Sequence, residues 1–295
     1  MSLNNTQDFH KKLDHLFNSS EFDFNFSTEQ QVSDILCLIL SLSKNYWHKG
    51  IQLFGQLIDL QESAIENEKI FPPIMGGLLY YYHQSAPSNK EGIDLLNRYG
   101  CQISTYHKHL YNKYDKEEIG LIDSSKNDSK LPLFDVFFHS LLIWSNQALI
   151  EIAILRKMED VDIILWNELS IFSCQEQLWN PILSRFQSKM GDKKLTGSKR
   201  KTTGFLPLFG NIPTQEEAEE MLKSMQNLGY PMDETGATPT LPKNFRLPFS
   251  AGYLLHQGLL NYDMIEAADC LKEYLLNKKG QKTLTRMVVL SLLVG

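Results

Sequence analysis

An all-α chain built of helical hairpins, with about ten helices joined by mostly short loops, is the fold class this sequence predicts. Three observations carry that prediction. Apolar residues recur at spacings of three and four along most of the chain. Capping residues stand where those runs begin. No segment sustains the apolar–polar alternation of a strand bounded by turns.

The elements follow in order. Ser27 or Thr28 can cap a first helix through about Leu42, with Val32, Ile35, Leu36, Ile39 and Leu40 on one face. Ile51–Ile65 repeats the pattern through Leu53, Phe54, Leu57 and Ile58. Pro72 and Pro73 suit the first turn of a third helix that buries Ile74, Leu78, Leu79 and Tyr82. Ser88 can cap a fourth, carrying Leu95, Leu96, Tyr99, Ile103, Tyr106 and Leu110, with Gly100 a weak spot inside it.

The clearest helix is Phe134–Arg156, where Phe134, Phe138, Leu141, Leu142, Leu149 and Ile152 keep the spacing. Asp160 then caps a run to about Leu178, with Ile163, Ile164, Trp166, Leu169, Ile171 and Phe172 expected mostly inward. Gln187–Gly204 is the one long irregular stretch, and its lysines and Arg200 read as a solvated surface loop. Thr214 and Glu217 form a capping box opening Gln215–Leu228. Further helical patterns lie near Phe249–Asn261, Met264–Leu276 and Thr283–Leu293. No fixed-period repeat is present, so a regular solenoid is not indicated.

At 295 residues the chain makes one large domain or two small ones. A net charge of −6 argues against a nucleic-acid partner, which needs a basic footprint. Cys37, Cys101, Cys174 and Cys270 are far apart and read as reduced thiols. The N-terminus has no apolar leader, and runs such as Met287–Val294 are too short for a bilayer. A cytoplasmic location with no membrane partner is therefore expected. His107 and His109, two apart, do not share a helix face, and no GxSxG elbow or Gly-rich phosphate loop occurs. Neither a metal nor another cofactor is expected. The oligomeric state is left open.

Four blocks form a pattern in fixed order. Ser140–Ala153 matches "slliwSNeALiEIa" through Ser145, Asn146, Ala148, Leu149, Glu151 and Ile152. Trp166–Asn180 matches "WNELTiySmNEkLWd", and Gly204–Glu219 matches "gfLPLFagIPTqeqAe". Gly252–Ala267 matches "nyLLyqGLlrYg…eA". Together they resemble the bacterial glycosidases allied to glycoside hydrolase family 63 and the mannosylglycerate hydrolases, over about residues 70–280. The resemblance implies an (α/α)₆ barrel of the six-hairpin glycosidases, here incomplete. It would occupy residues 28–295 as one domain, most similar over 134–276, after an N-terminal extension of residues 1–27. It also implies a carbohydrate ligand and, if active, inverting hydrolysis of an α-glucoside or α-mannoside.

Inversion needs a carboxylic acid to protonate the leaving oxygen and a carboxylate to activate water, about 6.5–9.5 Å apart. The family carries its acid in a long segment after "GLI". Here Gly120-Leu121-Ile122 is followed only by DSSKNDSKLP, so Asp128 and Asp123 are the candidates. The family's late Glu has no counterpart after Leu276, leaving Glu234 (with Asp233) as a stand-in base. Phe245 and Arg246 occupy the position of the family's "RGpvW" sugar-site turn, without its Trp. Trp144 and Asn146 share a helical turn and can form a sugar platform or plain packing. The alternative to hydrolysis is a non-catalytic relative acting as a sugar-binding or protein-interaction barrel.

Overall fold

Four helices are buried around most of their circumference, and a helix with no polar face belongs in the interior of a protein. In the computed structural model these are α1 (Glu29–Asn45), α3 (Met75–Gln84), α5 (Val136–Leu155) and α8 (Phe249–Asn261). The structure describes residues 26, 28–115, 119–125, 131–158, 160–195, 202–232, 247–277, 289, 292 and 293. Between the inner helices run α2 (Trp47–Glu66), α4 (Asn89–Tyr114), α6 (Val161–Ser173), α7 (Gln215–Asn227) and α9 (Ile265–Asn277). Inner and outer elements alternate along the chain, each outer helix returning the chain for the next inner one.

The inner ring closes on itself. α1 packs on α3, α3 on α5, α5 on the 3₁₀ helix Thr203–Leu208, that helix on α8, and α8 back on α1. The all-α hairpin barrel is therefore as expected, with nine α-helices among the described residues. The 3₁₀ helix, buried throughout, stands in one of the inner positions. α5 has the length and apolar character to cross a membrane, yet more than half of it is buried here as an inner stave.

Close approach of the inner helices depends on glycine. A Cβ at Gly76 of α3 would lie 2.5 Å from the Ser145 carbonyl oxygen of α5, and one at Gly77 would lie 2.3 Å from the Trp144 ring. Backbone cannot yield as a side chain can. Gly76→Ala is expected to destabilise the fold by about 2 kcal/mol, read as a lowered urea midpoint; an unchanged midpoint would remove this account of the α3–α5 contact.

The predicted caps Thr28, Ser88 and Asp160 each accept a first-turn N–H, and Thr214 with Glu217 makes the reciprocal capping box. α5 starts at Val136 under an Asp135 cap instead of at Phe134, because Phe134 is paired in a strand. Three further expectations need correction. Pro72 and Pro73 precede α3 instead of opening it: the Tyr106 hydroxyl bonds both the Phe71 N–H and the Phe71 carbonyl at 2.6 Å, holding that segment before the helix. On α6 the inward face is Ile163, Asn167, Ser170 and Ser173, while Ile164, Leu165 and Phe172 are exposed. Its inner side is polar because it meets hydroxyl and carbonyl partners of α4 and of the Ile119–Gly120 turn. The helix also ends in a π turn, Cys174–Leu178.

The third correction is that strands exist. β1 (Leu133–Phe134), β4 (Lys189–Met190) and β5 (Lys193–Lys194) form one small antiparallel sheet in the order β1-β4-β5, and β2 (Trp179–Asn180) pairs with β3 (Arg185–Phe186). Two-residue strands are too short to show alternation. Part of the supposed loop Gln187–Gly204 is thus ordered: Lys189 pairs with Asp192 at 3.8 Å, and Lys194 donates to the Trp179 carbonyl. Most of Thr283–Leu293 lies outside the described residues.

Candidate functional site

The inner elements bring their N-terminal ends together. Glu29, at the start of α1, accepts from the Thr203 hydroxyl at 2.9 Å, tying α1 to the 3₁₀ helix. Asp34 accepts from the Gln30 amide and from the Ser250 hydroxyl of α8, each at 2.6 Å. Gln30 also donates to Ser250 at 2.8 Å. Beside them Asp135, the N-cap of α5, accepts from the Ser188 hydroxyl at 3.1 Å, and Ser188 in turn accepts the Val136 N–H at 3.0 Å. Carboxylates at helix N-termini are favoured by the unpaired N–H groups and the helix dipole. This end of the ring is consequently rich in carboxylates, each engaged in joining two elements.

Asp123 sits in the turn leading to α5 and is buried. Its Oδ1 accepts the Ser125 N–H at 2.9 Å and the Leu133 N–H at 3.0 Å, and Ser124 N–H donates to the Leu133 carbonyl at 2.9 Å. His139 fixes the same turn. The Ile122 N–H donates to its Nε2 at 2.9 Å, so the ring is the Nδ1–H tautomer, donating to the Asp135 carbonyl at 2.7 Å. Burial pushes His139 below the usual histidine range, in keeping with a neutral ring.

A second polar system runs through the interior from α3 to the Gly120 turn. Its direction follows from its two backbone ends. The Gly120 carbonyl can only accept, so Ser170 donates to it at 2.6 Å and Tyr111 donates to Ser170 at 2.7 Å. The Tyr111 oxygen then accepts from Asn146 Nδ2 at 2.8 Å, and Asn146 Oδ1 accepts from His107 Nδ1–H at 2.6 Å. His107 Nε2 accepts from the Ser145 hydroxyl at 3.2 Å, and Ser145 Oγ accepts the Gly76 N–H at 2.8 Å. Burial pushes His107 down to about 4, with the Asn146 hydrogen bond offsetting part of the shift. Trp166 covers the line by stacking on Tyr111, centroids 4.7 Å apart and planes 11° from parallel.

The predicted site residues fall into three groups. Asp123 braces its turn. Asn146 is fully buried with both amide atoms bonded to His107 and Tyr111, so it holds helices together and offers nothing to a sugar hydroxyl. Trp144 remains partly exposed, its ring lying over Gly77 and 5.0 Å from that of Phe209. Asp128, Glu234, Phe245 and Arg246 lie outside the described residues. Sequence reasoning missed Asp34, Thr203 and Ser250 at the mouth, and His107, Tyr111 and Ser170 in the interior line. A legible signal did exist for the latter: Ser145-Asn146 interrupts the apolar run of a largely apolar helix, and buried polar groups require partners.

Comparison with known proteins agrees with this architecture. The GH63 mannosylglycerate hydrolase from Thermus thermophilus, solved with Tris, superposes with a TM-score of 0.72 at 13% identity, over 97% of this chain and 99% of that one. The same enzyme solved with glucose gives 0.70 at 14% identity over 88% and 92%. The unsaturated glucuronyl hydrolase of Bacillus sp. GL1 gives 0.58 at 12% identity over 94% and 84%. No curated protein matches the sequence. The profile of the mannosylglycerate hydrolase MGH1-like glycoside hydrolase domain matches residues 58–241. With the match spanning most of the ring, the chain belongs to the MGH1-like glycoside hydrolase family.

Proposed function

We propose that this chain binds an α-glucoside or α-mannoside without hydrolysing it, at the end of the ring where the inner helices begin. The observation that carries the reading is the pair of hydrogen bonds that holds Asp123 and Ser124 against Leu133. In the family resemblance this is where the long acid-bearing segment belongs. Here the Ser124–Leu133 and Leu133–Asp123 hydrogen bonds hold the two flanks of that stretch together, and Asp123 is buried. A carboxyl group held in that way positions backbone and does not reach a glycosidic oxygen.

Loss of a general acid removes roughly 10²–10⁴-fold in rate, and loss of the base a similar factor. The ring and its mouth do not depend on those groups. Trp144, in the third turn of α5 and with part of its ring exposed beside Phe209, supplies an aromatic surface of the kind that pyranose rings stack on, set back along the ring from its N-terminal end. The Thermus thermophilus enzyme was solved with glucose and with Tris and D-glycerate, which supports a sugar as the ligand class here. The second reading, inverting hydrolysis with Asp128 as acid and Glu234 as base, is favoured by family membership alone.

A thermal-shift titration with glucose, mannose and D-glycerate, run beside a turnover screen, separates the two. The expected result is stabilisation by a sugar with no release of aglycone from aryl α-glucosides or α-mannosides and no cleavage of mannosylglycerate. Turnover abolished by Asp128→Asn or Glu234→Gln would replace binding with hydrolysis. Neither stabilisation nor turnover would remove the sugar-binding proposal.

A further inference from the structure

Thirteen large apolar residues are exposed among the described residues, and nine of them fall between Ile154 and Leu183. The concentration is not random scatter. Val161, Leu165 and Phe172 occupy one stripe of α6 at spacings of four and seven, with Ile164 beside it. Ile154 and Leu155 at the end of α5 and Met158 in the turn before α6 are exposed as well. Their exposures run from 40% at Ile164 to 66% at Val161. At ~200 Å² for a fully exposed large side chain, these seven leave roughly 750 Å² to water. The largest apolar patch on a monomer is typically about 300–600 Å², while one side of a stable interface covers about 800 Å².

We infer that two copies of this chain associate through α6, packed antiparallel across a two-fold axis near Ile163. The area matches one face of a dimer, and the face is self-complementary, as a two-fold contact requires. Its N-terminal end carries exposed Lys157, and among the described residues the acidic groups there, Asp160 and Asp162, pair with Lys108 at 3.3 and 3.7 Å. Its C-terminal half carries exposed Glu168. Antiparallel docking sets Glu168 against Lys157 of the second copy, twice. It also lays Phe172 over the Ile154–Met158 turn of the second copy and Leu165 over Val161. Parallel docking would set Glu168 against Glu168.

Size-exclusion chromatography with light scattering on the full chain, over a concentration series, should give a dimer mass. Leu165→Glu and Phe172→Glu should yield monomers with unchanged circular dichroism and melting at high dilution, since both side chains point outward. Lys157→Glu and Glu168→Lys should each weaken association about tenfold, and the double exchange should restore it. A monomer at every concentration would overturn the inference. So would a dimer that Leu165→Glu leaves intact, or charge exchange that fails to rescue.

Discussion

Asn146→Leu is expected to destabilise the fold by about 3 kcal/mol, although leucine suits the apolar helix in which it would sit. The substitution removes two hydrogen bonds at once. His107 loses the acceptor for its Nδ1–H, and Tyr111 loses the donor to its oxygen. A buried donor left unpaired costs about 1–3 kcal/mol, and each lost bond about 0.5–1.5. Tyr111 retains Ser170 as its acceptor, which limits the total. The measurement is a urea or thermal melt at pH 7, where a loss of this size corresponds to roughly 5–10 °C in a protein this large. A melting point within a degree of the parent would show that the interior line does not hold α3, α4, α5 and α6 together. Tyr111→Phe, which deletes one hydroxyl and keeps the stack on Trp166, should show a smaller effect of the same sign.

The same line should make the protein sensitive to acid. His107 is neutral in the fold because burial depresses it to about 4, whereas the unfolded chain titrates near 6.5. Between these values the unfolded state binds the additional proton. Stability from His107 is therefore fully present above pH 6.5 and declines as pH falls toward 4, below which it is flat. The span amounts to about 3 kcal/mol, with about 2 of it lost by pH 5. His139, also depressed by burial, adds a loss of the same sign. Denaturation midpoints at pH 7 and pH 5 measure the difference. His107→Gln should lower stability at pH 7 and flatten the dependence below pH 6.5; an unaltered slope in that variant would place the acid sensitivity elsewhere.

Much of the architecture was legible in the chain because it rests on local physics. Thr28, Ser88, Asp160 and Thr214 open their helices with side-chain oxygens that reach N–H groups three residues on. The order of blocks from Ser145-Asn146 to Gly258-Leu259 carried the family resemblance. What the chain obscured has a common cause. Pro72-Pro73 has the local form of a helix start, yet the partner holding Phe71 is Tyr106, 35 residues away. Ile164 and Phe172 have the local form of core positions, yet the side of α6 that turns inward is set by Tyr111 and Gly120, 59 and 50 residues from Ser170.

The site divides along the same line. Asp123 and Asn146 were visible as candidates by residue type and position, and their engagement with Leu133, His107 and Tyr111 appears only when the chain is folded. Sequence by itself determined most of the helices and the starts marked by side-chain caps, since periodicity and capping act within a few residues, and the order of its blocks pointed to the family. Tertiary structure alone decided which helices stand inside the ring, which carboxylates are engaged, and which apolar face stays open to water. Those properties depend on neighbours brought from distant parts of the chain, and no short stretch of sequence contains them.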